Sequence, residues 1–592
     1  MRLLAAVLLA AAASFAGHAA SAREVGQAMR QFLTADELLG GFDYTSPVVM
    51  SAYGPAPGAD VARHRFEGRL TLHGQARAGG FREYTDEYGV TGAADSPHRH
   101  LPEFSFELVQ VGQSLVPVRR GAIPGEHPYW EFILGPGRVW QEPGDGDYSR
   151  AALPFSLQEV NANCTHNGVL GFVYKGDGSV SRVAYQVSSE TCAYFKADLW
   201  GLLEARYAPA AVAERSAVAG SYLAEVARRL PRRPIAELAR DYPGVDAADF
   251  GHPGDVSPAH LTTWGVVVDG VHYAGSCPTR AGEYPFCEVL HLPSYSLAKS
   301  MFASLALMRL EKLYPGARRS IVADHVPECV ASGHWSDVTF ENLLDMASGS
   351  YLSPADQEDE SAAHADEGFF LRQSHREKIE YACNFFPRRE APGKRWVYHS
   401  SDTYLLGTAM SEFLRRRKGE GTDILRDLVV PDLWRAIGLG PAAEISRRTR
   451  DAVAQPFTGF GLTLEPDDVA KLAVFLGPEG ELAASLLDQP MYRAALQRDE
   501  HDRGLIASTG GSLLYNNGFW ALRATDLPGC DDAQFIPFMS GFGGISVVLL
   551  PNGVSYYSFS DNREFRFRRA VLGAAKIRGY CEPPPGESPN TR

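Results

Sequence analysis

Two hairpin signals far apart in the chain constrain the fold more than any other feature of the sequence. The stretch TTWGVVVDGVHYAGS (262–276) joins two apolar runs across Asp269-Gly270, and GISVVLLPNGVSYYSFS (544–560) turns at Asn552-Gly553, both dipeptides that favour tight hairpins. Between them, from residue 293 to about 510, the pattern is mostly helical. Strands at both ends and helices between them predict one antiparallel sheet, completed by the two ends, with an inserted helical lobe. This is an α+β fold, an α/β sandwich.

The first part of the chain has a different pattern. At 592 residues the chain is longer than one hydrophobic core usually supports. Alternating apolar stretches such as FEGRLTLHG (66–74) and FSFELVQVG (104–112) predict strands, which favour a sandwich-like arrangement without indicating a function. We therefore expect a separate β-rich domain at residues 23–230, a second domain at 231–580 and a disordered tail at 581–592.

The amino terminus resembles a secretory signal. Arg2 supplies a positive charge, residues 3–15 an apolar stretch, and Ala20-Ser21-Ala22 a small-residue cleavage site. An uncleaved anchor is the alternative, although a stretch of 13 residues is too short to cross a bilayer of roughly 30 Å as a helix. The sequence predicts a periplasmic or secreted protein with a cleaved signal peptide at 1–22 and no stable membrane span.

The eight cysteines fit that compartment as disulfides. No C-x-x-C pair occurs, so a zinc ribbon or a thioredoxin-like site has no support. Pairing sequence neighbours gives four bridges: Cys164–Cys192, Cys277–Cys287, Cys329–Cys383 and Cys530–Cys581. Eight cysteines allow about 105 connectivities, so this pairing is a preference among many. The net charge of −14 argues against nucleic-acid binding.

One helix carries the strongest chemical signal. In HLPSYSLAKSMF (291–302), Ser296 and Lys299 stand three positions apart, one helical turn on one face. The run LAKSMFASLALMRLEKL that follows is apolar on nearly every face, which predicts a buried helix. A lysine on such a helix needs a partner or a role. The alternative is a lysine that reaches the rim of the protein with its charged end.

Further stretches follow in a definite order: VTFENLLDMASGSY (338–351), PGKRWVYHSSDTYLLG (392–407), GFGLTLEPDDVAKLAVFL (459–476), YNNGFWAL (515–522) and SGFGGISVVLLPNG (540–553). Together with the Ser-x-x-Lys pair they resemble the serine β-lactamase and penicillin-binding-protein superfamily in its class C-like branch. The segment YHSSDTYLLG is most similar to the esterase and 6-aminohexanoate-dimer hydrolase members. The resemblance covers about 350 residues, and it implies a β-lactamase/transpeptidase-like domain.

The resemblance also implies roles. Ser296 would be the acylated nucleophile, and Lys299 would help to deprotonate it. Tyr398 would be a general base or proton relay, and the backbone N–H groups of Ser296 and Ile545 would form an oxyanion hole. The substrate-binding positions would be Ser400, Phe542, Gly543 and Gly544. No metal or organic cofactor is expected.

Two positions depart from the pattern of β-lactamases. Ser400 stands where they usually carry Asn, and Phe542 stands where they carry Lys. A cation at that position helps to bind a substrate carboxylate, so an aromatic residue favours an uncharged, apolar acyl or alcohol group. We therefore expect an esterase or amidase acting on a small-molecule ester, amide or peptide. A β-lactamase or D-alanyl-D-alanine carboxypeptidase is the first alternative, and a catalytically inactive binding protein is the second.

Overall fold

The computed structural model describes residues 30–581, apart from residues 94, 102, 124 and 479, and it leaves the side chains of residues 75–78 undescribed. The predicted signal peptide and nearly all of the predicted tail lie outside these residues. Labels for the strands follow their order along the chain.

Nine antiparallel strands form the first sheet, here called the N-terminal sheet. They are β1 (Glu67–Asp86), β2 (Phe104–Val111), β3 (Ser114–Pro117), β4 (Trp130–Leu134), β5 (Gly137–Trp140), β6 (Ser149–Glu159), β7 (Thr165–Tyr174), β8 (Val183–Thr191) and β9 (Phe195–Pro209). Their order is β4-β6-β5-β3-β2-β1-β9-β8-β7. Because β6 also pairs along its length with β7, the sheet closes on itself. The sandwich-like expectation for this region is therefore wrong, since a closed sheet needs no second layer to cover its inner face.

Closure explains why β6, β7 and β8 are buried on both faces. Leu170 and Phe172 point into the interior of the N-terminal sheet with its other apolar residues. Val169 and Val173 alternate with them and face outward, where they join a second apolar cluster that includes Leu292 and Phe302 of the C-terminal part. A strand buried on both faces has a nearly continuous apolar sequence. The outer face of the N-terminal sheet therefore packs directly against the rest of the protein.

The second sheet, the C-terminal sheet, also has nine strands. They are β10 (Arg232–Pro234), β11 (Leu261–Val268), β12 (Val271–Ala274), β17 (Leu505–Ile506), β18 (Leu513–Asn516), β19 (Phe519–Ala524), β20 (Gln534–Gly541), β21 (Ile545–Leu549) and β22 (Ser555–Ser560), in the order β10-β12-β11-β22-β21-β20-β19-β18-β17. Two further pairs, β13 (Pro278–Thr279) with β14 (Gly282–Glu283) and β15 (Leu292–Pro293) with β16 (Thr463–Leu464), stand apart from it.

The two predicted hairpins form and meet in this sheet. β11 and β12 turn at Asp269 and Gly270, whose positive φ angles of 50° and 73° suit a tight turn. β21 pairs with β22 across the Asn552-Gly553 turn, and β22 then pairs with β11. The sheet is antiparallel except for the short edge pair β10–β12. The predicted α+β fold, completed by strands from both ends of the domain, is confirmed.

The helical lobe lies between β12 and β17 in the sequence. Its α-helices are Leu305–Leu313, Phe340–Leu344, Glu358–Ser361, Ala363–Ala365, His375–Asn384, Ser400–Lys418, Arg435–Ile437, Pro466–Leu476, Glu481–Leu486 and Gln489–Ala495, and its π-helical segments are Lys299–Ser304, Asp366–Phe370 and Leu425–Trp434. Outside the lobe are the helices Ala35–Gly40, Arg215–Ala227, Leu238–Asp241 and Arg568–Ile577.

All four predicted disulfides are present: Cys164–Cys192, Cys277–Cys287, Cys329–Cys383 and Cys530–Cys581. Four such bridges fit an oxidising compartment. No helix in the described part of the chain is both long enough and apolar enough to span a membrane.

Candidate active site

Ser296 stands at a sharp change of direction between β15 and the π-helical segment Lys299–Ser304. The preceding residue, Tyr295, is buried with a φ of 41°, in the left-handed region that a bulky side chain seldom occupies. Such backbone strain persists only where surrounding contacts hold it, and it is frequent at functional sites. π-helical turns are likewise frequent at functional sites. Ser296 itself is half-buried.

The contacts that hold Tyr295 come from the N-terminal sheet. Asn163, in the β6–β7 turn, accepts hydrogen bonds from the N–H of Tyr295 at 2.7 Å and the N–H of Gly461 at 3.0 Å. The same oxygen lies 3.3 Å from the Ser294 hydroxyl, while the Asn163 amide donates to the Leu462 carbonyl at 3.2 Å. Asn163 is buried, and its neighbour Cys164 is bridged to Cys192. The N-terminal sheet thus fixes the backbone on the N-terminal side of Ser296.

Lys299 is buried and its ammonium group reaches three oxygen atoms. Nζ donates to Ser296 Oγ at 2.9 Å, to Ser400 Oγ at 2.8 Å and to the Gly459 carbonyl at 3.1 Å. The alternative of a lysine that reaches the rim is wrong, because the side chain is only 2% exposed. Burial lowers the pKa of Lys299 to about 8, and the charge of Glu360 opposes that shift. At pH 7 about one lysine in ten is then neutral and able to accept a proton.

The ring of Tyr398 also lies next to the Lys299 ammonium group. Lys299 Nζ stands 4.9 Å from the centre of its ring, and the ring packs against Trp396 and Trp520, which also contact each other. Burial, supported by the charge of Glu360, raises the pKa of Tyr398 far above its ordinary value, while interaction with Ser296 works in the opposite direction. Tyr398 therefore keeps its proton at neutral pH, as a proton relay would require and a phenolate base would not.

Glu360 is a site residue that the sequence did not indicate. It belongs to the short helix Glu358–Ser361 and accepts hydrogen bonds from the Ser400 backbone N–H, at 2.8 Å, and from the Ser400 hydroxyl. Ser400 is the first residue of the helix Ser400–Lys418, where the helix dipole favours a carboxylate. The neighbouring Asp359 accepts from the backbone of its own loop at Leu352 and lies 3.1 Å from His399 Nε2. These contacts anchor the Glu360 loop against the site.

Phe542 and its neighbours form the wall predicted to bind substrate. Phe542 is 40% exposed, and its ring lies 5.6 Å from that of Tyr295 and 6.4 Å from that of Tyr194, which the N-terminal sheet supplies. The guanidinium of Arg563 lies 5.5 Å from the Phe542 ring, but two hydrogen bonds to Glu87 compensate its charge. Within the described part of the chain, this side of the site is thus an aromatic surface whose nearby cation, Arg563, is already paired with Glu87.

The glycines of this hairpin have different neighbours. Gly541 at the end of β20 approaches the segment that carries Ser296, since a β-carbon there would stand 2.9 Å from the Ser294 carbonyl. Gly543 and Gly544 lie in the following turn with positive φ, and Gly544 packs against Ser560 and Glu564. Gly541, one residue before Phe542, thus makes a close approach to the segment that carries Ser296, and the substrate-binding role expected of Gly543 and Gly544 stays a prediction.

The oxyanion hole predicted from Ser296 and Ile545 remains a prediction. Among the described residues the Ser296 N–H has no hydrogen-bond acceptor, which leaves it available to a ligand. Ile545 begins β21 and is paired with Gly541 across the hairpin, so it lies close to the segment 294–296.

No group of three or more His, Cys, Asp or Glu side chains suited to a metal ion occurs in the described part of the chain.

Comparisons with known proteins give matches among solved structures alone. No protein-family model matches the chain, and no curated protein sequence matches it. A putative 6-aminohexanoate-dimer hydrolase from Bacillus anthracis is similar at 16% identity, with a TM-score of 0.40 over 58% of this chain and 81% of that one. EstCE1, a hydrolase with promiscuous acyltransferase activity, is similar at 16% identity, with a TM-score of 0.41 over 57% of this chain and 96% of its own.

A class C β-lactamase is similar at 14% identity, with a TM-score of 0.37 over 57% of this chain and 96% of that one. These solved structures are members of the serine β-lactamase and penicillin-binding-protein superfamily, which is the superfamily that the sequence motifs resemble.

Proposed function

We propose that the protein is a serine hydrolase that acts through an acyl-enzyme on Ser296, with an ester or amide of an apolar acyl group as substrate. The observation that carries this proposal is the hydrogen bond between Lys299 Nζ and Ser296 Oγ, 2.9 Å long, in which the lysine is buried with a pKa lowered to about 8. A nucleophile needs such a base, because the serine hydroxyl alone is a weak nucleophile.

In the proposed reaction, neutral Lys299 accepts the Ser296 proton while Oγ forms a bond to the substrate carbonyl carbon. The carbonyl oxygen takes up the displaced electron pair, and the N–H groups of Ser296 and Ile545 donate hydrogen bonds to it. Donors of this kind are worth about 3–4 kcal/mol each. The bond to the alcohol or amine then breaks, and that group leaves with the proton held by Lys299, passed through the Tyr398 hydroxyl. Water hydrolyses the acyl-enzyme ester, which releases the acid and restores Ser296.

The wall around Phe542 supports an uncharged substrate. Its aromatic rings offer apolar surface, and the nearby Arg563 already pairs with Glu87. A β-lactam or D-alanyl-D-alanine substrate would present a carboxylate, for which this wall has no free cation among the described residues. These substrates and a catalytically inactive binding protein remain the competing functions.

The four disulfides and the signal-like residues 1–22 support the proposal that the enzyme is exported to the periplasm or the exterior. We further propose that residues 231–580 form the hydrolase domain and that residues 23–230 form the β-rich domain that packs against it.

A substrate panel tests the proposed function. Purified wild-type protein and Ser296→Ala are compared on p-nitrophenyl esters of increasing acyl length, matched anilides and the β-lactam nitrocefin. We expect turnover of esters or anilides by the wild type, none by the variant, and nitrocefin turnover at least about tenfold slower, the equivalent of 1.4 kcal/mol. Faster turnover of nitrocefin than of every ester and anilide would instead support the β-lactamase alternative.

A further inference from the structure

Lys299 has three oxygen neighbours, and it must accept a proton from only one of them, the Ser296 hydroxyl. An ammonium group has three N–H donors, and Ser296 Oγ, Ser400 Oγ and the Gly459 carbonyl accept all three. A neutral amine has two donors and one lone pair. It can deprotonate Ser296 only if its lone pair points at Ser296 and both donors point at the other two oxygens.

The Gly459 carbonyl can only accept a hydrogen bond, so its direction is settled. The Ser400 hydroxyl can either donate or accept. If it donated to Lys299, the lone pair of the neutral amine would point at Ser400 and the Ser296 proton would have no acceptor. The base therefore requires that the Ser400 proton be engaged elsewhere.

Glu360 engages it. Its Oε1 accepts the hydrogen bond of the Ser400 hydroxyl, while Oε2 accepts the Ser400 backbone N–H at 2.8 Å. An ionised carboxylate can only accept, so this contact fixes the Ser400 hydroxyl as a donor to Glu360 and an acceptor from Lys299. Resting on the proposed function, we propose that Glu360 is a positioning residue for acylation, which through Ser400 directs the lone pair of Lys299 at Ser296.

The charge of Glu360 acts on the same lysine. It raises the pKa of Lys299 against the larger effect of burial. It also raises the pKa of Tyr398 and of the buried Asp402 on the helix that Ser400 begins. His399 lies 3.9 Å from Asp402 through Nδ1 and 3.1 Å from Asp359 through Nε2. Removing the Glu360 charge should therefore lower the pKa of Lys299, and Tyr398 stays protonated throughout.

Two readouts separate orientation from charge. The rate at which a fluorophosphonate labels Ser296 is measured from pH 6 to 10, which yields a midpoint set by Lys299 and a plateau set by the geometry of the neutral lysine. We expect Glu360→Gln to lower the plateau about ten- to a hundredfold, the range for a misplaced catalytic group, and to move the midpoint to lower pH. Glu360→Asp keeps the charge but shortens the side chain, so we expect a lower plateau with the midpoint near that of wild type.

The control and the double variant decide whether Glu360 acts through Ser400. Glu358→Gln removes a charge from the same short helix at a residue that contacts Ser353 and should label like wild type. Ser400→Ala should lower the plateau. Adding Glu360→Gln to Ser400→Ala should lower it no further, because Glu360 acts through the Ser400 hydroxyl, which the first substitution has already removed.

An unchanged plateau in Glu360→Gln, whether or not the midpoint moves, would overturn the inference alone, provided that the wild-type protein labels normally. An equal loss of plateau on adding Glu360→Gln to Ser400→Ala would also overturn it. If the wild type takes no label at Ser296, the proposed function itself fails.

Discussion

The side chain of Asn163 offers the sharpest test of the link between the N-terminal sheet and the nucleophile. Its oxygen accepts from the backbone N–H groups of Tyr295 and Gly461. Replacing it by alanine leaves both N–H groups buried without an acceptor, at about 1–3 kcal/mol each, or about 2–6 kcal/mol in total. The Leu462 carbonyl loses the hydrogen bond from the Asn163 amide, but it still accepts one from the Ser294 N–H at 3.0 Å, so this loss adds little to the destabilisation.

The loss should be visible in the chemistry as well as in stability. Without Asn163, the N–H of Tyr295 loses its acceptor, so its left-handed conformation is less well supported and the backbone can relax away from the position that Ser296 needs. We expect Asn163→Ala to label with a fluorophosphonate about a hundredfold more slowly than wild type at pH 9. The thermal midpoint should also fall, and circular dichroism should still show a folded protein. Asn163→Asp retains the accepting oxygen and should label faster than the alanine variant.

Asn161 provides the matched control in the same turn. Its amide donates to the carbonyls of Phe370 and Arg372, away from Ser296, and its φ is 65°. Asn161→Gly removes those bonds without creating strain at that φ, and it should label at the wild-type rate. A folded Asn163→Ala protein that labels as fast as wild type would refute the reasoning that Asn163 fixes the nucleophile.

The lysine and the tyrosine give two further expectations. Hydrolysis should rise with pH through a midpoint near 8, because the form of Lys299 that accepts the Ser296 proton is the neutral one and burial lowers its pKa to about that value. A pH–rate profile of the wild type checks this, and a rate that falls through pH 8 would contradict it. Tyr398→Phe should lose most of its turnover, about 10²-fold or more, because the phenyl ring cannot relay a proton. A Tyr398→Phe enzyme with the wild-type kcat on an amide substrate would contradict the role of Tyr398 as a proton relay.

Local sequence signals predicted the sheet, the bridges and the contact between Ser296 and Lys299. Asp269-Gly270 and Asn552-Gly553 set turns whose conformations depend on the residues themselves. The cysteine pairs lie between 10 and 54 residues apart, close enough for pairing by neighbours to succeed. Ser296 and Lys299 are three residues apart in the turn that leads into the π-helical segment, where the Lys299 N–H donates to the Ser296 carbonyl at 3.0 Å, so their contact follows from short-range geometry.

Contacts across longer separations left no local signal. Asn163 and Tyr295 are 132 residues apart, and Glu360 and Ser400 are 40 apart, yet both pairs form hydrogen bonds. An asparagine in a β-turn or a glutamate in an acidic loop has an ordinary composition, so only the assembled fold shows its partner. Closure of the N-terminal sheet was missed for the same reason, because pairing of β6 with both β5 and β7 depends on register between distant strands. The glycine that approaches the nucleophile, Gly541, stood one residue outside the predicted motif.

The most direct test of the central claim is the intact mass of purified residues 23–592 after exposure to a fluorophosphonate, with Ser296→Ala treated in parallel. We expect one adduct on the wild type, located at Ser296 by peptide mapping, and none at that peptide in the variant. No adduct on a folded wild-type protein, or an adduct that persists in Ser296→Ala at another serine, would contradict it.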